Sequence, residues 1–404
     1  MQQAYPNRTA PLGRFANFIR RWQAATRLRG GFDVSLLALV LVLLGLGLLM
    51  VLSSSYPRAY SEALSSGSGS ALSYFNKQLV FAVVGVIALY IASWIPLSVY
   101  REFTWVIYAI AVLALFAVLI AGRNVNGATR WIDIGPVRLQ PSEILKLAII
   151  LVFADLISRF RSRMGTLKYG LAPFGAAMLI PVLLLYKEPH ISCIIIIGVI
   201  GLGMMVIGGT PKRFILYGFL ALVVLGVLAY LFSDHVHARV DAYLNPSAYA
   251  TDDVSYQVRE SLMAIGSGGL TGLGPGEGRQ KFLYLPESHN DYIFAVVCEE
   301  LGFLGAAAIV ILLALMLFRC VLVTLNTDDR FSFLVASGIT IHLMLQTVMN
   351  IFVVTNTIPC TGVSLPFFSY GGTALMMQLM EMGVLLSISR EAKLRPVRRR
   401  STGT

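Results

Sequence analysis

Charge-free apolar runs recur along the chain at lengths that match a bilayer. Val34 to Leu52, Gln78 to Ile95, Phe103 to Gly122, Tyr169 to Tyr186, Ile191 to Thr210, Phe214 to Ser233 and Leu301 to Phe318 each extend for 18 residues or more. About 20 apolar residues in a helix span a hydrocarbon core of roughly 30 Å. An eighth helix is expected over Ile144 to Ser158, shorter and carrying Lys146 and Asp155. Phe331 to Met380 contains no Asp, Glu, Lys or Arg, but Asn356, Pro359, Gly362, Pro366, Gly371 and Gly372 divide it into Phe331 to Val354 and Thr373 to Ser389. The pattern predicts an all-α polytopic membrane protein with ten transmembrane helices. Six Arg precede the first run with no small-residue cleavage site, so that run reads as a retained helix.

Composition agrees and narrows the class. Of 404 residues, 56% are hydrophobic before glycine is counted and only 13% are charged. Such a chain cannot cover itself with water-compatible side chains, which excludes disordered, collagenous and disulfide-scaffold classes. Cys193, Cys298, Cys320 and Cys360 lie far apart and form no metal or disulfide motif. The net charge of +11 is explained by placement rather than by nucleic acid. With a cytoplasmic N-terminus, 21 of the 32 Lys and Arg fall on the inside segments, including Arg159, Arg161, Arg163, Lys168 and the tail Arg398, Arg399, Arg400. Both termini are therefore expected in the cytoplasm, with anionic lipid as the partner of the basic arms. The expected organisation is a basic arm over 1–31, a membrane domain over 32–390 and a basic tail over 391–404.

Two outside segments differ in character. Residues 234–290, between helices seven and eight, form a large extracytoplasmic loop, and loops of this length are usually functional. Within it, Tyr256 to Ile265 fits an amphipathic surface helix, followed by a run of seven glycines from Gly266 to Gly278. Ser61 to Ser73 is Ser/Gly-rich and is expected to be a flexible connector.

Ionisable groups gather at the outer ends of the helices, where membrane proteins build ligand and ion sites. Gln140, Pro141, Ser142 and Glu143 open the fourth helix, and Lys146 shares a face with Glu143. This pair reads either as a structural ion pair or, with Arg130, as a cationic receptor for an anionic headgroup. Lys281 to Phe294 forms a second cluster with Tyr284, Glu287, His289 and Asp291. Asp291 reads as a helix cap, or as a base whose pKa rises in a water-poor cleft. Glu299 and Glu300 lie deeper on the following helix, Glu300 placed to hold Arg or backbone groups. The uncharged stretch Pro359 to Thr373, with Pro366, Ser369, Gly371 and Gly372, is expected to fold tightly against protein, either as packing or as a lining of the same cleft as Asp291.

Four motifs carry a resemblance over about Phe32 to Arg390: NGATRWIDIGPVRLQPSEILK from Asn126, KFLYLPESHNDYIFAVVCEELGFLG from Lys281, Gln346 to Asn350, and PCTGVSLPFFSYGG from Pro359. By these the chain resembles the SEDS family (shape, elongation, division and sporulation) of cell-wall polymerases, with a GT-C-like glycosyltransferase fold. The resemblance implies polymerisation of lipid II, the undecaprenyl-pyrophosphate-linked disaccharide-pentapeptide, into β-1,4 glycan strands with inversion. It implies that Asp291 is the catalytic residue, acting on the acceptor hydroxyl. Arg130 and Lys146, then Lys281, would answer the pyrophosphate, with Trp131 and Tyr284 as neighbours; Mg²⁺ or another divalent cation is allowed there, without a ligand motif of its own. A class B penicillin-binding protein, a transpeptidase, is the implied partner, together with divisome or related cell-wall synthesis proteins.

One segment departs from the family pattern. Glu188, Pro189, His190, Ile191, Ser192 stands where relatives carry a Gln-Pro-Asp-Leu-Gly-like sequence, so His190 replaces a usual carboxylate. This variant resembles the division and sporulation members more than the elongation group. Thr373 replaces a frequent Ser and keeps its hydroxyl. A lipid II flippase and a non-catalytic division scaffold are the alternative functions; outward-biased polar residues and the lack of an internal repeat favour the polymerase.

Overall fold

A computed structural model describes residues 31–67, 69–125, 128–134, 137–244 and 253–394. The basic arm and most of the basic tail expected from the sequence lie outside these residues. Helix α1 (Val34–Ser66) opens at Asp33, whose carboxylate accepts from the Leu36 amide at 3.0 Å, and closes at Gly67 in the left-handed region. It continues through Pro57 well past Leu52, so the expected connector Ser61 to Ser73 is helical up to Ser66. α2 (Ser73–Trp94) and α3 (Leu97–Ala121) follow.

The next segment departs from an all-helical expectation. β1 (Arg123–Val125), β2 (Ala128–Ile134) and β3 (Val137–Leu139) form a small antiparallel sheet in the order β1-β2-β3. Two of its strands have only three residues, and the seven-residue β2, ATRWIDI, shows no clean alternation of polar and apolar positions. The sheet delivers the chain to α4 (Pro141–Phe160), which has Pro141 in its first turn.

α4 is the centre of the molecule. Every residue from Leu145 to Ile157 is buried, and the helix packs against α3, α11 and α6. After a single helical turn at Leu167–Gly170 come α5 (Ala172–Lys187), α6 (Ile191–Ile207) and α7 (Lys212–Phe232). α7 buries only Phe214 and Ala229 and is the most peripheral of these helices. Two helices then lie in the long segment, α8 (Asp234–Leu244) and α9 (Asp253–Gly268). α9 contains the expected amphipathic stretch.

α10 (Ile293–Leu325), α11 (Arg330–Val354) and α12 (Gly372–Leu394) complete the bundle. α10 is broken at Gly302, with φ 66° and ψ −170°. The backbone of 270–272 crosses so closely that a Cβ on Gly302 would lie 2.2 Å from the Gly272 nitrogen. Glycine is required here by conformation and by space. The break separates a buried half-helix, Ile293 to Leu301, from the apolar stretch that begins at Phe303.

Among the described residues, α1, α2, α3, α7, α10, α11 and α12 are long and apolar enough to cross a membrane, and α5 and α6 are shorter apolar helices. α4 has the length but carries Glu143, Lys146 and Asp155. The interior between α11 and α12 is polar in steps of about one turn. Gln346 and His342 face Gln378 and Glu381, with Gln378 donating to Gln346 at 3.1 Å and His342 Nδ1 3.0 Å from the Glu381 carboxylate, and Asn350 continues the row one turn beyond Gln346.

Candidate active site

The site forms where β2, the α5–α6 junction, α8, the loop before α10 and the 355–371 loop meet. Asp291 lies two residues before α10, but it does not cap the helix: Tyr292 occupies the N-cap position, without a side-chain cap bond. The capping role read from the sequence is therefore corrected. The Asp291 backbone is fixed instead, because the Asn350 side-chain amide donates to its carbonyl at 2.7 Å and to the Val363 carbonyl at 2.8 Å. One amide thus ties the Asp291 loop to the Pro-rich loop. The Asp291 carboxylate faces Gly362, where a Cβ would sit 3.2 Å from Oδ2 and where φ is 67°. Burial, with Glu287 nearby, pushes the Asp291 carboxyl up to about 6 from 3.8, against the opposing pull of Arg239 and Arg130.

Two guanidiniums, Arg239 and Arg130, act on this carboxylate through their charge. Arg130 projects from β2 and donates to the Pro189 carbonyl, while its Nε is buried without a partner. Trp131, the next residue on the strand, faces the opposite side of the sheet because strand side chains alternate. Arg239, on α8, donates to the Cys360 carbonyl at 3.4 Å, and its Nε is also buried and unpartnered. Sequence reasoning missed Arg239; a lone Arg in a short amphipathic segment gives no periodic signal. Glu188 lies fully buried at the α5–α6 junction with neither oxygen hydrogen-bonded. Desolvation raises its pKa to about 8, opposed by Arg130, so at neutral pH it carries a proton. His190 is kept neutral by burial and by the nearby Arg130, Lys146 and Arg239. Neither Glu188 nor His190 supplies a fixed negative charge there at neutral pH.

Lys146 and Glu143 form a buried ion pair at 2.7 Å at the start of α4, one turn below Gln140. Pro141 and Ser142 are buried beside them, and the Gln140 amide donates to Thr373 Oγ1 at 3.3 Å. Thr373 in turn donates to the Arg138 carbonyl at 2.9 Å, so its hydroxyl joins α12 to the sheet.

The structure separates Lys281 from this cleft. Its Nζ donates to Glu300 at 2.7 Å, to Ser53 at 2.8 Å and to the Gly276 carbonyl at 2.6 Å. That buried network already engages the ammonium that the resemblance assigned to the pyrophosphate. Glu300 also accepts from the Gly276 amide, and Glu299 accepts from the amides of Arg279 and Gln280. The two carboxylates on the half-helix therefore hold the glycine-rich loop by charge-assisted bonds. Tyr284 points outward, 58% exposed. Glu287 takes the Asn290 side chain and lies 3.8 Å from Arg58. His289 is buried edge-on to Tyr74, with its ring lowered to about 4 by burial and Arg58, so it is neutral at pH 7.

The Pro-rich loop is packed from below. Pro366 is buried, and Ser369 Oγ accepts from the Leu365 amide at 2.7 Å. Gln78 of α2 brackets the turn, donating to the Ser369 carbonyl and accepting from the Gly371 amide, both at 3.2 Å. A Cβ on Gly372 would overlap the Phe81 ring at 2.2 Å. Among the described residues, no three His, Cys, Asp or Glu converge as metal ligands.

Residues 34–394 match the family model FtsW/RodA/SpoVE, described as cell cycle proteins, and the chain belongs to that family. It is 33% identical over 368 residues to a probable peptidoglycan glycosyltransferase FtsW of Trichlorobacter lovleyi, covering 91% of this chain and 95% of the relative. It is 34% identical over 365 residues to stage V sporulation protein E of Bacillus subtilis, covering 89% and 98%. Among solved structures, a chain of a peptidoglycan synthase complex that coordinates polymerization and crosslinking matches with a TM-score of 0.73 and 25% identity, over 89% of this chain and 98% of that one. The rod shape determining protein RodA of Thermus thermophilus has the same fold, with a TM-score of 0.64 at 24% identity, over 89% and 97%.

Proposed function

We propose that the chain is an inverting peptidoglycan glycosyltransferase that polymerises lipid II at the outer face of the cytoplasmic membrane. The supporting observation is Asp291: a buried carboxylate with a pKa of about 6, anchored through its backbone carbonyl by Asn350 and facing Gly362 of the Pro-rich loop. A base with a pKa near the working pH combines a large ionised fraction with real proton affinity. In this reading Asp291 takes the proton of the acceptor sugar's C4 hydroxyl as that oxygen attacks the anomeric carbon of the donor. The bond from that carbon to the pyrophosphate oxygen breaks, and undecaprenyl pyrophosphate leaves with the electron pair. Arg130 is assigned to the developing phosphate charge, and the Lys146–Glu143 pair sets the potential behind it. Inversion needs only a base here, because pyrophosphate leaves without the general acid that glycosidases supply from a second carboxylate.

The membrane arrangement in this reading is ten crossings, α1 to α7 and α10 to α12, with both termini cytoplasmic and α8 and α9 outside. The excess of Lys and Arg on the inner segments supports it. A class B penicillin-binding protein is the proposed partner, and the division septum the proposed location. The test is glycan synthesis from lipid II by the purified protein with its transpeptidase partner. Asp291→Asn is expected to lose polymer while keeping its fold and partner binding. Full activity in that variant overturns the assignment, and transbilayer movement of lipid II without polymer supports the flippase instead.

A further inference from the structure

A cavity of about 430 Å³ opens between α8, α9 and the 355–371 loop, within the range typical of small-ligand pockets. Arg239 and Cys360 line it, joined by the hydrogen bond from Arg239 to the Cys360 carbonyl, and Cys360 stands two residues before Gly362, which faces the Asp291 carboxylate, so the cavity adjoins that carboxylate. Val254, Val258 and Leu262 recur at four-residue spacing and give it one aliphatic wall from α9. The opposite character comes from Arg239 and Arg259. Among the described residues no Asp or Glu lines the cavity, although Glu260 lies 3.4 Å from Arg259 outside it. Two buried polar atoms on the lining, Arg239 Nε and Ser255 Oγ, have no hydrogen-bond partner. A buried donor left unpaired is costly, and a ligand that supplies an acceptor removes that cost.

We propose that this cavity is a subsite for the acidic peptide stem of the glycan substrate, with Arg239 holding a peptide carboxylate. The proposal rests on the polymerase reading above. Each other part of lipid II fits the lining less well. A sugar presents hydroxyls on all sides and would meet a wall of Val and Leu. A polyprenyl tail needs a groove facing lipid, whereas α8 and α9 are helices of mixed polarity outside the apolar spans. The pyrophosphate is a compact, multiply charged group with no use for an aliphatic wall. A short peptide with free carboxylates and small apolar side chains matches both surfaces: carboxylate to guanidinium, methyl groups to the α9 strip. The peptide is then fixed beside Asp291 while the sugars react, so the cavity selects substrates by their stem.

Two measurements test this. Polymerisation is followed with lipid II carrying its full peptide and with the same lipid-linked disaccharide stripped of peptide, for the parent protein, Arg239→Ala and Val258→Trp, which fills the cavity. With full lipid II, KM is expected to rise about tenfold or more in both variants, the ordinary cost of a lost charge-assisted hydrogen bond. With the stripped substrate, Val258→Trp should match the parent's KM, and Arg239→Ala, which removes a charge that also acts on Asp291, should lose less on the stripped substrate than on full lipid II. Equal increases on the two substrates would overturn the peptide assignment and point to the pyrophosphate. Binding of the soluble pentapeptide to the parent protein is measured separately, and amidation of its carboxylates should abolish it. A parent protein that binds the peptide but makes no polymer refutes the polymerase reading while leaving the subsite standing; one that polymerises but binds no peptide does the reverse.

Discussion

The side-chain amide of Asn350 donates to the main-chain carbonyl of Asp291 at 2.7 Å, from the middle of a buried polar ladder on α11. Its second hydrogen goes to Val363, and so the carboxylate and the loop it faces move as one body. Removing the amide lets the two loops separate. A misplacement of about 1 Å at a reacting group can cost on the order of 100-fold in rate. Asn350→Ala is expected to lower the rate of polymerisation by roughly that factor with little change in KM. Single-turnover glycan synthesis, compared with thermal unfolding in detergent, separates this from loss of fold.

Polymerisation should follow the ionisation of Asp291. With its pKa near 6, the base is charged above that pH, so kcat/KM is expected to fall as pH drops through about 6. The stability effect has the opposite sense. A carboxyl whose folded pKa is raised binds its proton more tightly when folded, so its ionisation opposes folding as pH rises from about 4 to 6. Asp291→Asn should therefore unfold at a higher temperature than the parent at pH 7.5, and the difference should vanish near pH 3.5. A thermal shift series across that range checks the sign.

Glu188 gives a second pH signature. Protonated below about 8, it is electrically silent at neutral pH; above that, its charge appears beside Arg130 and competes with an anionic substrate for the guanidinium. The parent is expected to lose kcat/KM above about pH 8. Glu188→Gln should stay within about twofold of the parent at pH 7 and keep its activity to higher pH. Coincident alkaline limbs for the two proteins would exclude this origin.

Lys281 and Glu300 should behave as a stability pair. Removing one partner of a buried ion pair costs about 3–5 kcal/mol, because the other charge is stranded. Lys281→Met is expected to unfold early and to loosen the glycine-rich loop, seen as faster amide exchange over 272–281. Adding Glu300→Gln should recover part of the loss. Greater instability in the double variant would show that Glu300 has a further role.

The helices were legible because charge-free length is a strong and local signal. Each of the ten predicted apolar segments lies largely within one of the observed helices, and Tyr256 to Ile265 lies within α9. The sheet escaped because three-residue strands such as Arg123–Val125 carry no readable alternation. The break at Gly302 escaped because glycine inside an apolar run is common in membrane helices, and only the crossing strand at Gly272 reveals its purpose. Asp291 and the Glu143–Lys146 pair could be singled out from their chemistry near helix starts, whereas Arg130 sits on the strand β2. Arg239 and the donors of Asn350 could not, since their meaning lies in partners far away in the chain. The engagement of Lys281 escaped for the same reason: nothing near it in sequence announces Ser53 or Glu300.

The burial of α4 bears on how the protein is built. A helix carrying Glu143, Lys146 and Asp155 has no stripe suited to lipid, and its neighbours α11 and α12 are synthesised some two hundred residues later. In the proposed ten-crossing arrangement it enters the bilayer incompletely satisfied and waits until the end of the chain closes over it. Assembly is therefore expected to proceed by late enclosure of an early, unstable segment, and truncation before α11 should leave α4 as the first target for membrane quality control.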